Sequence, residues 1–292
     1  MKRLFLLSVI ALVAICSSSC GSSPIDTPTK PEAPERQGWE EGFPLYGDVE
    51  SVVKTLYKLE EKFGEVVRGD IVACGKYSFN DAGDVIKDAG YFPDGSLAYK
   101  YIHKYDSSGN MIEKARYYAD GSLSWKNIYK YDSSGNKIED AWYNSYGSLD
   151  WKYIYKYDSS GNNIEYAKYN SNGSLDFKYV SKYDSSGNEI ELARYNSDGS
   201  LDYKHIYKYD SSGNKIESAK YYSDGSLGDK NIYKYDSSGN KIEGAKYNSD
   251  GSLIYKCIYK YDSSGNRIEA TEYGGEALIP ESLTVYEITY RN

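Results

Sequence analysis

Tyr105-Asp106-Ser107-Ser108-Gly109-Asn110 is echoed by Tyr-Asp-Ser-Ser-Gly-Asn at Tyr131, Tyr157, Tyr183, Tyr209, Tyr235 and Tyr261, each copy 26 residues after the last. A fixed step of this kind marks a repeat architecture, in which every copy is one supersecondary unit. Within the unit that begins at Tyr131, two stretches of β-type composition, Lys137 to Asn144 and Leu149 to Tyr157, are separated by turn formers. Each unit therefore reads as a β-hairpin. Both loops place Gly last of three, Ser133-Ser134-Gly135 and Ser145-Tyr146-Gly147, the pattern of a type I turn closed by a left-handed residue.

Working outward, Phe79-Asn80-Asp81-Ala82-Gly83-Asp84 keeps the Gly and the flanking hydrophobe one step earlier. Seven units then span 79–260, and a terminal repeat with a C-terminal cap spans 261–292. Residues 39–78 read as a worn capping hairpin, with Gly69 at the turn position and Ile71 and Tyr77 at the unit's Leu and Tyr positions. The competing reading is an amphipathic helix, because Val49, Val52, Val53, Leu56, Leu59 and Phe63 also fit helical spacing. Leu283 to Tyr290 is the expected closing strand. The fold class is all-β, an elongated or spiral antiparallel sheet of about eight or nine tandem hairpins.

If residues flanking each three-residue loop pair directly, the register follows. Ile138 then faces Ile154, Ala141 faces Trp151 and Tyr143 faces Leu149, while Lys168 meets Asp176 and Arg194 meets Asp202. One face is aromatic, with Tyr131, Ala141, Tyr143, Leu149, Trp151, Tyr153 and Tyr155, and the other carries Ile138, Ile154, Lys152, Lys156 and Asp150. Glu139 and its counterparts are expected on the aromatic face, beside Tyr hydroxyls.

Composition narrows the function classes. The chain has 292 residues, 35 of them Tyr, with a net charge of −8. Without a basic excess it is a poor nucleic-acid binder, and its Tyr and Ile content is unlike a disordered chain. Lys2 and Arg3, then an apolar run from Leu4 to Ile15, then Cys16-Ser17-Ser18-Ser19-Cys20-Gly21 read as a secretory signal over 1–19. The run is too short to span a membrane. Pro24, Pro28, Pro31 and Pro34 make 20–38 an extended tether.

Ser17-Ser18-Ser19-Cys20-Gly21 resembles the lipobox of bacterial lipoproteins, although Ser17 stands where that pattern prefers Leu. The resemblance implies lipid attachment at Cys20, with plain signal cleavage and Cys16 as alternatives. The phrase Tyr-Lys-Tyr-Asp-Ser-Ser-Gly-Asn, with Ile two residues on and a second Gly turn before the next copy, resembles the YD repeat of the RHS family from Phe79 to about Tyr273. Members form long spiral β-sheets; some enclose a toxic C-terminal domain, and others are secreted or wall-associated surface proteins. The step of 26 is longer than the typical family repeat, so the hairpin-spiral architecture is the part that carries over. A looser similarity exists to MORN-type hairpin repeats.

Chemistry-bearing residues are few. His103, His205 and Cys257 replace Tyr or Asn at strand positions, and Cys74 lies in the worn unit, so no disulfide framework, metal site or cofactor is expected. No Ser, His and acid grouping recurs at a spacing that suggests a nucleophile, and an enzyme is not expected. The repeated turn Asp invites a calcium reading, but each loop offers one carboxylate where calcium loops alternate several oxygens. Arg68-Gly69-Asp70 spells an integrin-like tripeptide, better explained as the repeat turn.

The candidate binding residues are an aromatic row across the units, Tyr99, Trp125, Trp151, Phe177, Tyr203 and Tyr255, interrupted by Asp229. Such a row serves either as a sugar-stacking platform or as packing surface. The expected function is a non-catalytic scaffold for binding or adhesion at the bacterial cell envelope. It would be lipid-anchored at the outer membrane, with a glycan or protein ligand and no nucleic acid. A carbohydrate-binding lipoprotein that uses the aromatic row is the alternative, followed by an RHS-type toxin-associated component or an enzyme.

Overall fold

A computed structural model describes residues 45–274 and 279–291. The signal, Cys20 and the tether lie outside the described residues. Among the described residues eighteen strands follow one another: β1 Val49–Lys62, β2 Glu65–Phe79, β3 Val85–Tyr91, β4 Leu97–Tyr105, β5 Met111–Tyr118, β6 Leu123–Tyr131, β7 Lys137–Asn144, β8 Leu149–Tyr157, β9 Asn163–Asn170 and β10 Leu175–Tyr183. They continue as β11 Glu189–Asn196, β12 Leu201–Tyr209, β13 Lys215–Tyr222, β14 Leu227–Tyr235, β15 Lys241–Asn248, β16 Leu253–Tyr261, β17 Arg267–Gly274 and β18 Ile279–Tyr290. The fold is all-β and built from tandem hairpins, as the repeat dictates.

The loop chemistry explains why the chain reverses where it does. In the turn after β6, Asp132 N–H donates to Asn136 O at 2.9 Å and Gly135 N–H donates to Asp132 O at 3.1 Å. The Asp132 carboxylate accepts from the Ser134 and Asn136 amides at 2.9 Å each, and from Asn136 Nδ2 at 3.0 Å. Gly135 sits at φ 84 with nothing within 4 Å of an added Cβ, so the left-handed backbone alone demands glycine there.

The strands are antiparallel neighbours in sequence order, and β1 also pairs with β18. That pairing closes the sheet into a barrel, so every strand among the described residues has a neighbour on both sides. Direct partners advance from Arg116 through Trp125 to Asn144, 28 residues for a 26-residue repeat. The stagger is therefore about one residue per strand, which tilts strands ~36° from the barrel axis. A buried apolar cluster of Leu45, Val49, Val52, Phe79, Val85 and Tyr286 closes the seam region.

The observed register departs from direct pairing on both sides of each hairpin. Tyr143 does face Leu149, but a bulge follows, so Trp142 faces Trp151, Ala141 faces Lys152 and Glu139 faces Ile154. A second bulge lies between Lys130 and Tyr131 on the pairing with β7. Lys168 and Arg194 accordingly pair in register with Phe177 and Tyr203. Each still reaches its expected acid, Lys168 at 3.2 Å from Asp176 and Arg194 in contact with Asp202. Trp151, Tyr153 and Tyr155 share a face with Asp140 and Trp142, whereas Ala141, Tyr143 and Glu139 belong to the opposite face with Lys152 and Ile154. One extra residue per bulge is enough to exchange the faces.

Residues Val49 to Phe79 form a hairpin of two strands, not a helix. Its turn lies at Phe63 and Gly64, at φ 55 and 81. Gly69 stands inside β2, not at a turn, and an added Cβ would meet the Glu60 side chain at 2.7 Å.

Candidate binding face inside the barrel

The two faces of the wall differ in solvation and in repetition. On the Trp151 face, side chains from non-adjacent strands meet: Tyr179 and Tyr203 hydroxyls lie 2.8 Å apart across β11, and Tyr101 and Trp125 rings are 5.6 Å apart across β5. Burial there pushes the Lys114 ammonium down and the Asp140 carboxyl up, each toward its neutral form. On the Glu139 face, Glu139 lies 2.7 Å from Lys130 and 3.2 Å from Lys152 on the adjacent strands. There the hydrogen bond from Lys130 lowers the carboxyl instead. Convergence and desolvation mark the Trp151 face as the concave inner wall.

The outer wall is nearly identical in every repeat. Its columns are Lys at 100, 126, 152, 178, 204, 230 and 256, Glu at 113, 139, 165, 191, 217, 243 and 269, and Tyr at 117, 143, 169, 195, 221, 247 and 273. Small buried Ala115, Ala141, Ala167, Ala193, Ala219 and Ala245 sit among them. Lys and Glu repeated along an outer wall do not suit hydrocarbon, where one midplane Lys costs about 2–4 kcal/mol. No helix among the described residues is long and apolar enough to cross a membrane, which says nothing of barrels.

The inner wall varies instead. Opposite strand positions read Lys114, Asp140, Tyr166, Leu192, Ser218, Gly244 and Ala270, seven residue types in seven units. Next to them run Arg116, Trp142, Lys168, Arg194, Lys220, Lys246 and Glu272. These two columns were missed from sequence because the bulges were. Once the register is known, comparing units column by column reveals them.

Tyr99, Trp125, Trp151, Phe177, Tyr203 and Tyr255 all lie on this inner wall, and Asp229 at the gap pairs with Lys246 at 3.5 Å. The row does not stand free. Trp142 stacks between Trp125 at 4.1 Å and Trp151 at 4.9 Å. Cations cover other rings: Arg116 over Tyr99 at 4.7 Å, Arg194 over Phe177 at 4.2 Å and Lys220 over Tyr203 at 4.1 Å. Tyr255 is the most exposed, at 43%. The wall thus offers ring edges and cationic groups more than open ring faces.

His103 is buried, with Nδ1 3.3 Å from Met111 Sδ, and burial lowers its imidazole to about 4. His205 is half-buried, stacked on Tyr207 at 6.2 Å and also lowered by burial. Cys74 and Cys257 are free thiols. Among the described residues no three His, Cys, Asp or Glu side chains gather as metal ligands.

Two family models match short stretches of the repeats: a family of unknown function, DUF2963, over residues 221–272, and a β-propeller domain of unknown function, DUF5122, over residues 179–203. A comparison with curated protein sequences finds no match. Among solved structures, the chain is similar to the Photorhabdus luminescens Tc holotoxin pore, at 15% identity and TM-score 0.35, over 79% of this chain and 14% of that one. It is also similar to a porin-like protein from Bacteroides uniformis, at 11% identity and TM-score 0.44, over 82% of this chain and 96% of that one. A LolA superfamily protein from Nitrosomonas europaea follows at 9% identity and TM-score 0.26, over 85% and 88%. None is similar enough for its function to be carried to this chain.

Proposed function

We propose that the protein is a non-catalytic binding scaffold of the bacterial envelope or cell surface, with the inner wall of the barrel as its ligand-binding face. The observation that carries this reading is the contrast between a wall repeated almost unchanged outside and seven different residues in seven units inside. A framework needs sameness, whereas recognition of a particular ligand needs position-specific chemistry. The lipobox-like Cys20 and the Pro-rich tether support lipid anchoring, with the outer membrane as the address. The hairpin repeats resemble those of the RHS family, whose secreted and surface members fit a binding role.

Placing a photo-cross-linking amino acid at Tyr179 on the inner wall, or at Lys178 on the outer wall, tests the ligand face in cells. Ligand adducts form from position 179 and not from 178; adducts from 178 alone overturn the reading. For the anchor, Cys20→Ser releases the protein from the membrane fraction, and retention of the variant there rules out lipid attachment at Cys20.

A further inference from the structure

At the rim opposite the Asp-Ser-Ser-Gly-Asn loops, the hairpin of β1 and β2 outruns its neighbours. β1 and β2 pair as far as Lys62 and Glu65, whereas β18 pairs with β1 only to Lys58 and β3 pairs with β2 only from Cys74 onward. Among the described residues, the β2 edge from Glu65 to Ala73 therefore has no strand beside it on the β3 side. That run is mostly exposed, with Val66, Ile71 and Val72 at 51%, 40% and 48%. Bulges on both sides of Tyr57 bend the hairpin at this level, and Arg68 reaches Glu269 of β17 at 3.6 Å. The hairpin thus leans toward β18 and away from β3. Below the open edge lies a cavity of about 750 Å³, a size that suits a ligand site. It exists because three inner-wall positions on its floor are small: Ala73, Gly75 and Gly90 stand where the next unit, 26 residues on, has Tyr99, Tyr101 and Arg116.

The lining decides the ligand class. Lys54 and Lys58 are matched in number by Glu272 and Glu281, so the cavity carries no charge excess that would select a simple anion or cation. Tyr99 lies against the Gly90 backbone with the Arg116 guanidinium 4.7 Å from its ring centre, and Tyr77 packs on the buried seam cluster. Neither ring leaves a free face for a sugar. What the site does offer is an apolar floor, with Leu56 and Ala73 in direct register, beside a strand edge whose amides and carbonyls alternate. Another extended backbone answers donors and acceptors at that spacing. Resting on the inner wall as the ligand face, the geometry points to a docking site for an extended peptide segment of a partner protein. The segment adds as a strand along β2 between Glu65 and Ala73 and places one apolar side chain in the cavity.

The test uses the whole chain and a set of capped seven-residue Thr peptides whose central residue is Ala, Val, Leu or Phe. Calorimetry reads binding, and amide hydrogen exchange reads where it occurs. The Leu and Phe peptides bind about tenfold tighter than the Ala peptide, and they slow exchange within 65–73 but not in β9 to β12. N-methylation of alternate peptide nitrogens abolishes binding in one register and spares it in the other, because one edge of the added strand faces β2. Ala73→Trp, which fills the cavity, removes the preference for Leu and Phe, whereas the outer-wall variant Lys178→Met keeps it. If Ala73→Trp melts below the parent, the exchange and N-methyl measurements on the parent decide. No peptide binding, protection outside 65–73, or equal effects of the two N-methyl registers overturns the site. Protection of 65–73 that grows with protein concentration alone makes a second copy the occupant and also overturns it. If cross-linking from position 179 still captures a ligand in any of these cases, the inner-wall reading stands and only the peptide site falls.

Discussion

Arg291, one residue past the last strand, holds Asp48 at the entry to the first: Nη1 donates to the Asp48 carboxylate at 2.5 Å, and the Arg291 amide donates to Asp48 O at 2.9 Å. Nη2 of the same guanidinium donates to the Phe79 and Asn80 carbonyls at 2.6 and 2.8 Å. One planar group thus joins the β18 end, the β1 entry and the β2–β3 turn where the ring closes. Arg291→Ala should destabilise by about 2 kcal/mol, as expected for charge-assisted bonds lost at a half-buried site. For a domain this size that is a fall of ~4–8 °C in melting temperature. Arg291→Lys should recover little of it, because an ammonium cannot span the same fork of acceptors. An unchanged melting temperature in Arg291→Ala would show that the seam is held by strand pairing alone.

The Tyr of each Tyr-Asp-Ser-Ser-Gly-Asn copy has a second task besides flanking the turn. Tyr131 Oη donates to Met111 O at 2.8 Å, Tyr157 to Lys137 O at 2.8 Å, Tyr183 to Asn163 O at 2.7 Å and Tyr209 to Glu189 O at 2.7 Å. Tyr→Phe at any one of these should cost about 1 kcal/mol by leaving a half-buried carbonyl short of a donor. Tyr146→Phe, at a 93% exposed loop position, should be silent in the same urea titrations. Equal effects at Tyr131 and Tyr146 would sink the hydrogen-bond account.

The hairpins were legible because Asp132, Asn136 and Gly135 carry their turn chemistry locally. The face assignment was not, because each bulge admits one extra residue through strand twist, which composition does not mark. Tyr143 opposite Leu149 was readable from loop length, yet one residue further on the bulge put Trp142, and not Ala141, opposite Trp151. Glu139 went to the outer wall with it, between Lys130 and Lys152. Closure was illegible for a different reason. It depends on stagger summed over eighteen strands until Val52 of β1 meets Ile288 of β18, a property of the whole ring. The aromatic row itself was found, but Trp142 and Lys114 between its members were hidden by the wrong parity.

Alkaline pH should loosen the barrel through its tyrosines. Burial pushes Tyr131 and Tyr261 up to about 12, and it raises Tyr129, Tyr155 and Tyr259 further. The folded state thus holds phenolic protons that the unfolded chain gives up near pH 10. Their contribution is complete below pH 10 and is lost as pH rises toward 12. Absorbance titration of tyrosinate should show two classes, an exposed one near pH 10 and a delayed one that ionises together with loss of the β circular-dichroism signal. A single class near pH 10 with the fold intact would contradict the buried inner wall.

Acid should act through His103. Its folded-state value near 4 lies below the unfolded 6.5, with burial the main cause and the Lys114 charge second. The unfolded chain therefore takes up this proton first, and the stability linked to a neutral His103 is full above pH 6.5 and falls as pH drops toward 4. At pH 4.5 the loss should be on the order of 2 kcal/mol. The same column carries Tyr129 and Tyr155 in the following units, so His103→Tyr should fit the wall and remove this term. Thermal melting of parent and variant at pH 7.5 and 4.5 gives the comparison. The parent should lose more stability than the variant between the two pH values, beyond the loss common to both from the carboxylates. Parallel losses would mean that His103 takes up its proton without cost, and that its Nε2 is open to water.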